Sequence, residues 1–442
     1  MRHAAAVALG LCLCSSTALA NGRFPLSNQV AKTSALPQSL LVRASFGLLI
    51  SSDGGKTFSW ICEAAPGYGG TQDPGIALFA DGSIAVAAFE GMSVSHDGGC
   101  TWHAIKDDGI ADQYVIDVAT ERDAPERGVA ITSTGLGPTE FYVQTFETLD
   151  SGRTWKKTGA QLPTDLLSET IDVAPSNPKR LYVSGVIGQE QDRKGVLSVS
   201  DDRGATWVRK LIPLEGDQAV YIAGVDPLDD KRVYIRTRGV ADRLLVSDDA
   251  GKTLREIGRT TGAMTGFAVE PNGARVAFGG PMAGLFLGPR DAMTIPKIGP
   301  QTSVCLYWAS EGLYACGADY DDGYIVGRSD DGAETFVPVL PTLSAIKGPL
   351  TTCAPGGEYE QKCAPVWPAL AALFGTGNAG SGGTAGAAGA SGGSTTPAQT
   401  PSSSSDDGCG CRVVGGRAGG VPLVLLAGAA AWGLVGARRR RR

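Results

Sequence analysis

Short apolar runs, separated by polar turn residues, recur along most of the chain. One stretch reads TIDVAPSNP, RLYVSGVI, GVLSVSDD and ATWVRKLI, and the next reads YIAGVDPLDD, RVYIRTRG, RLLVSDD and KTLREIG. The breaks are rich in Gly, Pro, Asn and Asp, so each stretch predicts four short β-strands joined by turns. No long segment with helical periodicity lies between residues 24 and 340. The pattern therefore predicts an all-β fold.

A polar phrase, S/T-x-D-x-G-x-T followed by an aromatic residue, marks the turn between the third and fourth runs. Leu254 and Ala333 each break the pattern once. The first five copies start 44 to 53 residues apart, whereas the last gap is 82 residues and contains GLFLGPRDAMTIPKI (284–298), which keeps only the apolar pattern. Seven units of roughly 50 residues predict a seven-bladed β-propeller. The six phrases begin at Ser51, Ser95, Thr148, Ser200, Ser247 and Ser329.

The phrase resembles the Asp-box, or bacterial neuraminidase repeat, of propellers found in sialidases, sortilin-type receptors, xyloglucanases and photosystem II assembly factors. The resemblance covers about residues 21–345. It implies that the box residues are structural and lie at the blade periphery, because Ser and Asp side chains accept hydrogen bonds from nearby backbone N–H groups. It also implies that ligands bind on the opposite face, which carries the loops between the second and third strands of each blade.

The two ends of the chain differ in composition from the predicted propeller. Residues 1–20 contain an apolar run and end in Ala-Leu-Ala, as a secretory signal peptide does. Residues 375–408 are mostly Gly, Ala, Ser, Thr and Pro and predict a flexible linker. Residues 418–437 are apolar and are followed by five arginines, which predicts a transmembrane helix with its end in the cytoplasm.

The segment 409–442 resembles the myxobacterial C-terminal sorting signal, because Cys409-Gly410-Cys411 stands between the linker and the apolar span. The resemblance implies that a sorting protease processes the chain and that Cys409 or Cys411 is lipidated. It also implies display on the outer surface of a Gram-negative, myxobacterium-like cell.

Charge narrows the possible partners. Eight of the 39 Lys and Arg residues and two of the 45 Asp and Glu residues lie outside residues 21–405, which leaves 31 against 43 and a net charge of −12. An acidic exported body argues against nucleic-acid binding, which needs a basic surface. We therefore expect a glycan or protein ligand.

Six cysteines lie in the exported body, and an even number outside the cytosol predicts disulfides. Cys305 and Cys316 stand on two short runs joined by a tight turn, so we expect them to pair. The loop CAPGGEYEQKC, within a C-terminal extension of residues 346–374, predicts a Cys353–Cys363 bridge. Cys62 and Cys100 then remain as a pair by elimination.

Candidate catalytic groups are few. A glycosidase needs two carboxylates facing a cleft, and Asp117 and Asp172 occupy matching positions on the innermost runs of blades three and four. Blades five and six have Gly224 and Ala268 there, so the strand itself does not require Asp. Nothing apolar nearby obviously shields either carboxylate, and we expect solvated side chains at the rim of the channel.

A metal site has one candidate, because Asp319, Asp321 and Asp322 offer oxygen ligands of the kind that Ca²⁺ prefers. A plain acidic turn explains the same residues, and the sequence predicts no cofactor. The sequence thus favours an exported, surface-anchored binding or scaffold module over an enzyme. The alternatives are a glycoside hydrolase acting on polysaccharide through Asp117 and Asp172, and an extracytoplasmic assembly factor.

Overall fold

The computed structural model describes residues 27–69, 72–107, 109–111 and 113–375. The predicted signal peptide, the linker from residue 376, the helix 418–437 and the two sorting cysteines, Cys409 and Cys411, lie outside the described residues. Within the described ranges, every helix is too short or too polar for a membrane span.

Seven four-stranded antiparallel sheets follow one another along the described chain, and each is one blade of a propeller. Blade 1 comprises β1 Ser27–Ala31, β2 Leu40–Ala44, β3 Gly47–Ser51 and β4 Ser59–Ile61. Blade 2 comprises β5 Gly75–Leu78, β6 Ile84–Ala88, β7 Gly91–Ser95 and β8 His103–Ala104. Blade 3 comprises β9 Val115–Thr120, β10 Gly128–Thr132, β13 Thr145–Thr148 and β14 Lys156–Lys157, with a small hairpin in its loop, β11 Thr134–Gly135 and β12 Phe141–Tyr142.

The remaining blades repeat the same order. Blade 4 comprises β15 Leu167–Val173, β16 Leu181–Ile187, β17 Lys194–Ser200 and β18 Val208–Ile212. Blade 5 comprises β19 Ala219–Val225, β20 Val233–Arg238, β21 Arg243–Ser247 and β22 Arg255–Arg259. Blade 6 comprises β23 Gly266–Val269, β24 Arg275–Gly280, β25 Gly284–Pro289 and β26 Lys297–Gly299. Blade 7 comprises β27 Cys305–Ala309, β28 Gly312–Cys316, β29 Val326–Ser329 and β30 Val337–Leu340.

The described part of the chain is therefore an all-β seven-bladed propeller, as the repeat count predicts. Blade 6 forms from the stretch that lost the polar phrase. Burial explains the apolar runs, because all five residues of β6 are buried between neighbouring blades whereas both residues of the outer strand β8 are exposed. Three short α-helices of the described residues lie outside the blades' strands: α1 Asp319–Asp322, α2 Glu358–Cys363 and α3 Trp367–Leu373.

The six polar phrases form nearly identical turns, here called box turns. In blade 3, Asp150 Oδ1 accepts hydrogen bonds from Thr148 Oγ1 at 2.8 Å and from the Thr154 backbone N at 2.9 Å. Asp150 Oδ2 accepts from Thr154 Oγ1 at 2.7 Å. Ser151 and Gly152 both have positive φ, of 59° and 82°. Two consecutive left-handed residues explain the glycine of the phrase, because a left-handed backbone is costly for most other residues.

Each blade is built from one continuous stretch, so the ring closes by packing of blade 7 on blade 1. Ser27 Oγ in the first strand donates to the Ile325 carbonyl at 2.9 Å. The C-terminal segment 346–375 then returns to blade 1. The Trp60 backbone N donates to the Gly348 carbonyl at 2.7 Å, and Lys347 N donates to the Phe58 carbonyl at 2.9 Å. This segment therefore extends the outer edge of blade 1.

The disulfides correct two of the three expected pairings. Cys305–Cys316 joins neighbouring strands, as expected. The other bridges are Cys62–Cys363 and Cys100–Cys353, so the predictions of Cys353–Cys363 and Cys62–Cys100 are wrong. The loop containing Cys353 and Cys363 does not close on itself, because it folds into α2 and lies along the propeller. Each cysteine of the segment then meets a cysteine of a different blade.

Candidate functional site

The first strands of the seven blades, β1, β5, β9, β15, β19, β23 and β27, line a central channel of about 700 Å³. Because neighbouring strands of a blade run antiparallel, the loops between second and third strands and the connections between blades emerge on one side. We call this side the loop face and the other, which carries the box turns, the box face. Charged side chains lining the channel are Lys32, Glu121, Arg122, Asp172, Arg236 and Glu311.

Asp117 and Asp172 are half-buried in the channel wall and bind the backbone of the next blade. Asp117 Oδ2 accepts a hydrogen bond from the Ile171 N at 3.1 Å, and its Oδ1 accepts from Val118 N at 2.9 Å. Asp172 Oδ1 accepts from Val173 N at 2.8 Å, and the carboxylate also accepts from Val225 N. Each carboxylate thus satisfies a free N–H group at the inner edge of the neighbouring sheet.

Burial changes the protonation of both groups. Desolvation raises the pKa of Asp117 to about 6, against the lowering effect of its bonds to Ile171 N and Val118 N. Desolvation likewise raises the pKa of Asp172 to about 7, and the negative charge of Asp117 raises it further. Half-burial and the raised pKa values differ from the expectation of solvated carboxylates at the rim. The local sequence is polar, but the shielding comes from the other blades around the channel.

A second group of titratable side chains lies on blades 4 and 5, toward the loop face, and the sequence did not single it out. We call it the mouth cluster: Glu169 on β15, Tyr221 on β19, Arg236 and Arg238 on β20, and Arg193 before β17. Desolvation raises the pKa of Glu169 to about 7, although the charges of Arg238, Arg236 and Arg193 lower it. The Arg236 guanidinium stacks over the Tyr221 ring, 4.5 Å from its centroid.

A β-bulge at Glu169 explains why sequence reasoning missed the cluster. Ser168 pairs with Gly185 and Thr170 with Ser184, so Glu169 is the extra residue on its strand. An extra residue breaks the alternation of side chains between the two faces of a strand. The side chain of the extra residue then points in a new direction. The alternating pattern in LSETIDV gives no sign of this break. Glu169 is one of four polar residues in this strand, so the sequence carried no distinct signal for it.

Exposed apolar side chains recur at the tips of the loops on the loop face. Five blades carry one between their second and third strands, with exposed fractions of 54% to 97%. Scattered exposed apolar residues are ordinary on protein surfaces, and some also lie elsewhere on this chain. On the box-face loops only three of the described blades carry such a residue, Leu149, Leu228 or Met293, so the loop face has the larger set. The five residues are Phe89, Leu136, Val240, Met282 and Tyr320.

The three aspartates considered for Ca²⁺ lie within α1 on the loop face. Asp322 accepts hydrogen bonds from Thr302 N at 3.0 Å and from Ala318 N at 2.8 Å, so its oxygens hold the local backbone. Across the described ranges, no group of three or more His, Cys, Asp or Glu side chains is arranged to hold a metal ion, and this includes Asp319, Asp321 and Asp322.

No protein-family model and no curated protein matches this sequence. Among solved structures, the chain is similar to the GH74 xyloglucanase of Xanthomonas campestris, with 17% identity over 70% of this chain and a TM-score of 0.43. It spans 59% of the length of that enzyme. It is also similar to YCF48 bound to a D1 peptide, with 13% identity, coverage of 68% of this chain and 91% of that one, and a TM-score of 0.44.

A third similar structure is the hydrazine synthase of Kuenenia stuttgartiensis, with 12% identity, coverage of 73% of this chain and 99% of that one, and a TM-score of 0.48. At these identities the likeness to the three proteins concerns the fold at most. No activity is carried from them to this chain.

Proposed function

We propose that this protein is a non-catalytic binding module that holds a protein partner on its loop face. The observation that carries the proposal is the set of exposed apolar loop tips, Phe89, Leu136, Val240, Met282 and Tyr320, repeated around one face. Exposed apolar side chains in a polar surrounding mark protein interaction sites. Three of the five are aliphatic, which suits a protein surface better than the flat aromatic platform on which sugar rings stack.

The test is site-specific cross-linking in cells that export the chain. A photoreactive amino acid at position 240 or 282 is expected to capture a discrete partner, because these side chains are 97% and 86% exposed on the loop face. The matched control is position 337 on the outer strand β30, which is 59% exposed but lies at the side of the ring. Equal capture at all three positions, or capture at 337 alone, would contradict the proposal.

A second candidate is the polysaccharide hydrolase, and one observation favours it. A carboxyl group that stays protonated near neutral pH can act as a general acid, and the pKa of Asp172 is raised to about 7 beside the charge of Asp117. Against it, both carboxylates are bonded to backbone N–H groups of the next blade, which gives them a structural role. Turnover of a polysaccharide that disappears in Asp172→Asn would favour the hydrolase.

The proposal includes export and anchoring. The signal-like segment 1–20 supports export, and the Cys-Gly-Cys segment with its apolar span and arginines supports a surface anchor processed by a sorting protease. The repeated box turns with their S/T-x-D-x-G-x-T hydrogen bonds support membership of the Asp-box propellers. Three disulfides suit an exported protein, since such bridges persist in oxidising compartments.

A further inference from the structure

We propose that the mouth cluster on the loop face binds a carboxylate of an acidic protein segment. The proposal rests on the proposed function, which makes the partner a protein. It adds that this protein must present an acidic group. The residues that carry it are Arg193, Arg236, Arg238, Glu169 and Tyr221, from two neighbouring blades.

The first step is the placement of the three guanidiniums at one end of the channel. Tyr221 on β19 pairs with Arg236 on β20, and Ala219 pairs with Arg238, so both arginines lie at the start of β19. Arg193 reaches the same place from blade 4, where its Nη1 donates to the Gln218 carbonyl at 3.3 Å. The charges of all three act on the single carboxyl of Glu169.

The second step is the local charge balance. Arg236 Nη1 lies 3.7 Å from the buried Asp242 Oδ2, and it donates to the Met264 carbonyl. Three cations therefore face two carboxylates, those of Glu169 and Asp242. The nearby Glu215 and Asp217 share one further cation, Arg243. Four cations and four carboxylates therefore gather here, so a ligand carboxylate binds through the arrangement of the guanidinium donors and not through an excess of charge.

The third step is that hydrogen-bonding capacity remains for a ligand. Within the described part of the chain, the buried Nε of Arg193 has no hydrogen-bond partner. The Arg238 side chain is exposed, and its hydrogen bond to Tyr221 holds it beside the Arg236 guanidinium. Guanidinium donors in a fixed arrangement match the geometry of a carboxylate. The apolar loop tip at Val240 stands two residues beyond Arg238, so an acidic segment reaches both at once.

In this proposal Glu169 competes with the ligand, because the charges of the three arginines act on its carboxyl group. When its carboxyl is ionised, it satisfies part of the positive charge; when it is protonated, the charge is free for a ligand. Tyr221 and the three arginines are the titratable groups that interact with it. The carboxylates of a peptide stay ionised above about pH 5, because their ordinary pKa is about 4.3. Binding is therefore stronger on the acid side of neutrality.

The experiment measures binding of a fluorescein-labelled hexaglutamate peptide to the purified full chain by anisotropy at low salt, with hexaglutamine as the uncharged control. We expect saturable binding of hexaglutamate only, weaker by about threefold or more at pH 8 than at pH 6 because Glu169 ionises. Arg238→Gln is expected to weaken binding at pH 6 about fivefold or more, the loss of one charged hydrogen-bonding partner.

Two further variants separate this site from general charge effects. Arg259→Gln removes the same charge from an exposed arginine on the outer strand of the same blade, and we expect no change. Glu169→Gln keeps the shape but removes the competitor, so it is expected to tighten binding and abolish the pH dependence. Absent hexaglutamate binding, equal effects of Arg238→Gln and Arg259→Gln, or unchanged pH dependence in Glu169→Gln would each overturn the proposal.

The peptide assay needs no native partner, and the cross-linking experiment needs no acidic group. A failure of the peptide assay with cross-links at position 240 would therefore reject the carboxylate site and leave the binding face standing. The opposite result would reject the protein-binding face and leave an anion site at the channel mouth.

Discussion

The same residue type has opposite electrostatic behaviour at two places in this propeller. In the box turns, hydrogen bonds from the phrase itself lower the pKa of Asp53, Asp249 and Asp331 to about 2. In the channel, desolvation raises the pKa of Asp117 and Asp172 above its ordinary value. The box aspartates are surrounded by donors and water, whereas the channel aspartates are surrounded by seven blades. Environment therefore decides which aspartates carry a proton near neutral pH.

Asp172→Asn tests this difference. A raised pKa in the folded state means that the protonated carboxyl stabilises the fold fully below the ordinary value of 3.8, and that this contribution is lost as pH rises through about 7. We expect the free energy of unfolding to fall between pH 5 and pH 8, and to fall by about 1–2 kcal/mol less in Asp172→Asn. Chemical denaturation at pH 5 and pH 8 measures the free energy of unfolding of both chains.

Asp123→Asn, an exposed substitution in the turn after β9, is the control and should behave as the original chain does. A pH dependence identical in the original chain and Asp172→Asn would refute the assignment. The same variant is assayed against a polysaccharide panel, where the binding proposal expects no turnover by either chain.

At the scale of elements, each blade forms from one continuous stretch of the chain. The C-terminal segment, in contrast, packs against blades that lie far away in the sequence. The segment 346–375 holds blade 1 through the Trp60 and Lys347 backbone hydrogen bonds and through packing of Trp367 on Trp60, with ring centroids 5.3 Å apart. Its two disulfides bridge 301 and 253 residues of sequence. The segment therefore links the last part of the fold to its first two blades.

The losses of stability caused by removing these two disulfides are expected to be non-additive. Each closes a loop of more than 250 residues, but while one remains the long loop stays closed. Cys62→Ser with Cys363→Ser, or Cys100→Ser with Cys353→Ser, should each cost about 1–3 kcal/mol, and removing both bridges should cost more than the sum. Thermal unfolding measures the effect.

Cys305→Ser with Cys316→Ser is the comparison, because this bridge spans only 11 residues within one hairpin. The loss of stability caused by removing this bridge should simply add to the loss caused by removing either of the long bridges. Simple additivity of the two long bridges would show that the segment does not close a common loop.

The propeller combines apolar loop tips on one face with three arginines at the mouth of its channel. Its two faces differ in chemistry: the box face presents repeated hydrogen-bonded turns, and the loop face presents Val240 and Met282 almost fully exposed. The proposed binding function rests on this difference between the faces.

Cys409→Ser with Cys411→Ser tests the anchoring proposal. These residues lie between the linker and the apolar span. Cleavage and lipidation there would replace the apolar span with a lipid anchor. The double variant is expected to remain unprocessed and to be lost from the cell surface, as read by immunoblot and surface labelling. Ser403→Ala with Ser404→Ala in the linker is the control. Normal surface display of the cysteine variant would reject the sorting signal.

The sequence by itself determined whatever depends on neighbours along the chain. The turns between runs predicted the strands, and the box spacing predicted seven blades, including the one at 284–298 that lacks its phrase. Cys305–Cys316 followed from a hairpin, because antiparallel neighbours are local contacts. These features rest on hydrogen bonds and turns within about ten to fifty residues, which the order of residues specifies directly.

Only the tertiary structure decided which distant surfaces meet. Cys62 pairs with Cys363 because the C-terminal segment returns to blade 1, and no spacing in the sequence encodes that path. Desolvation in the channel wall raises the pKa of Asp172 to about 7, although its own strand is polar. Glu169 joins Arg236 through a β-bulge and the packing of two blades. Desolvation and charge depend on atoms around a group in space, so the sequence alone could not supply them.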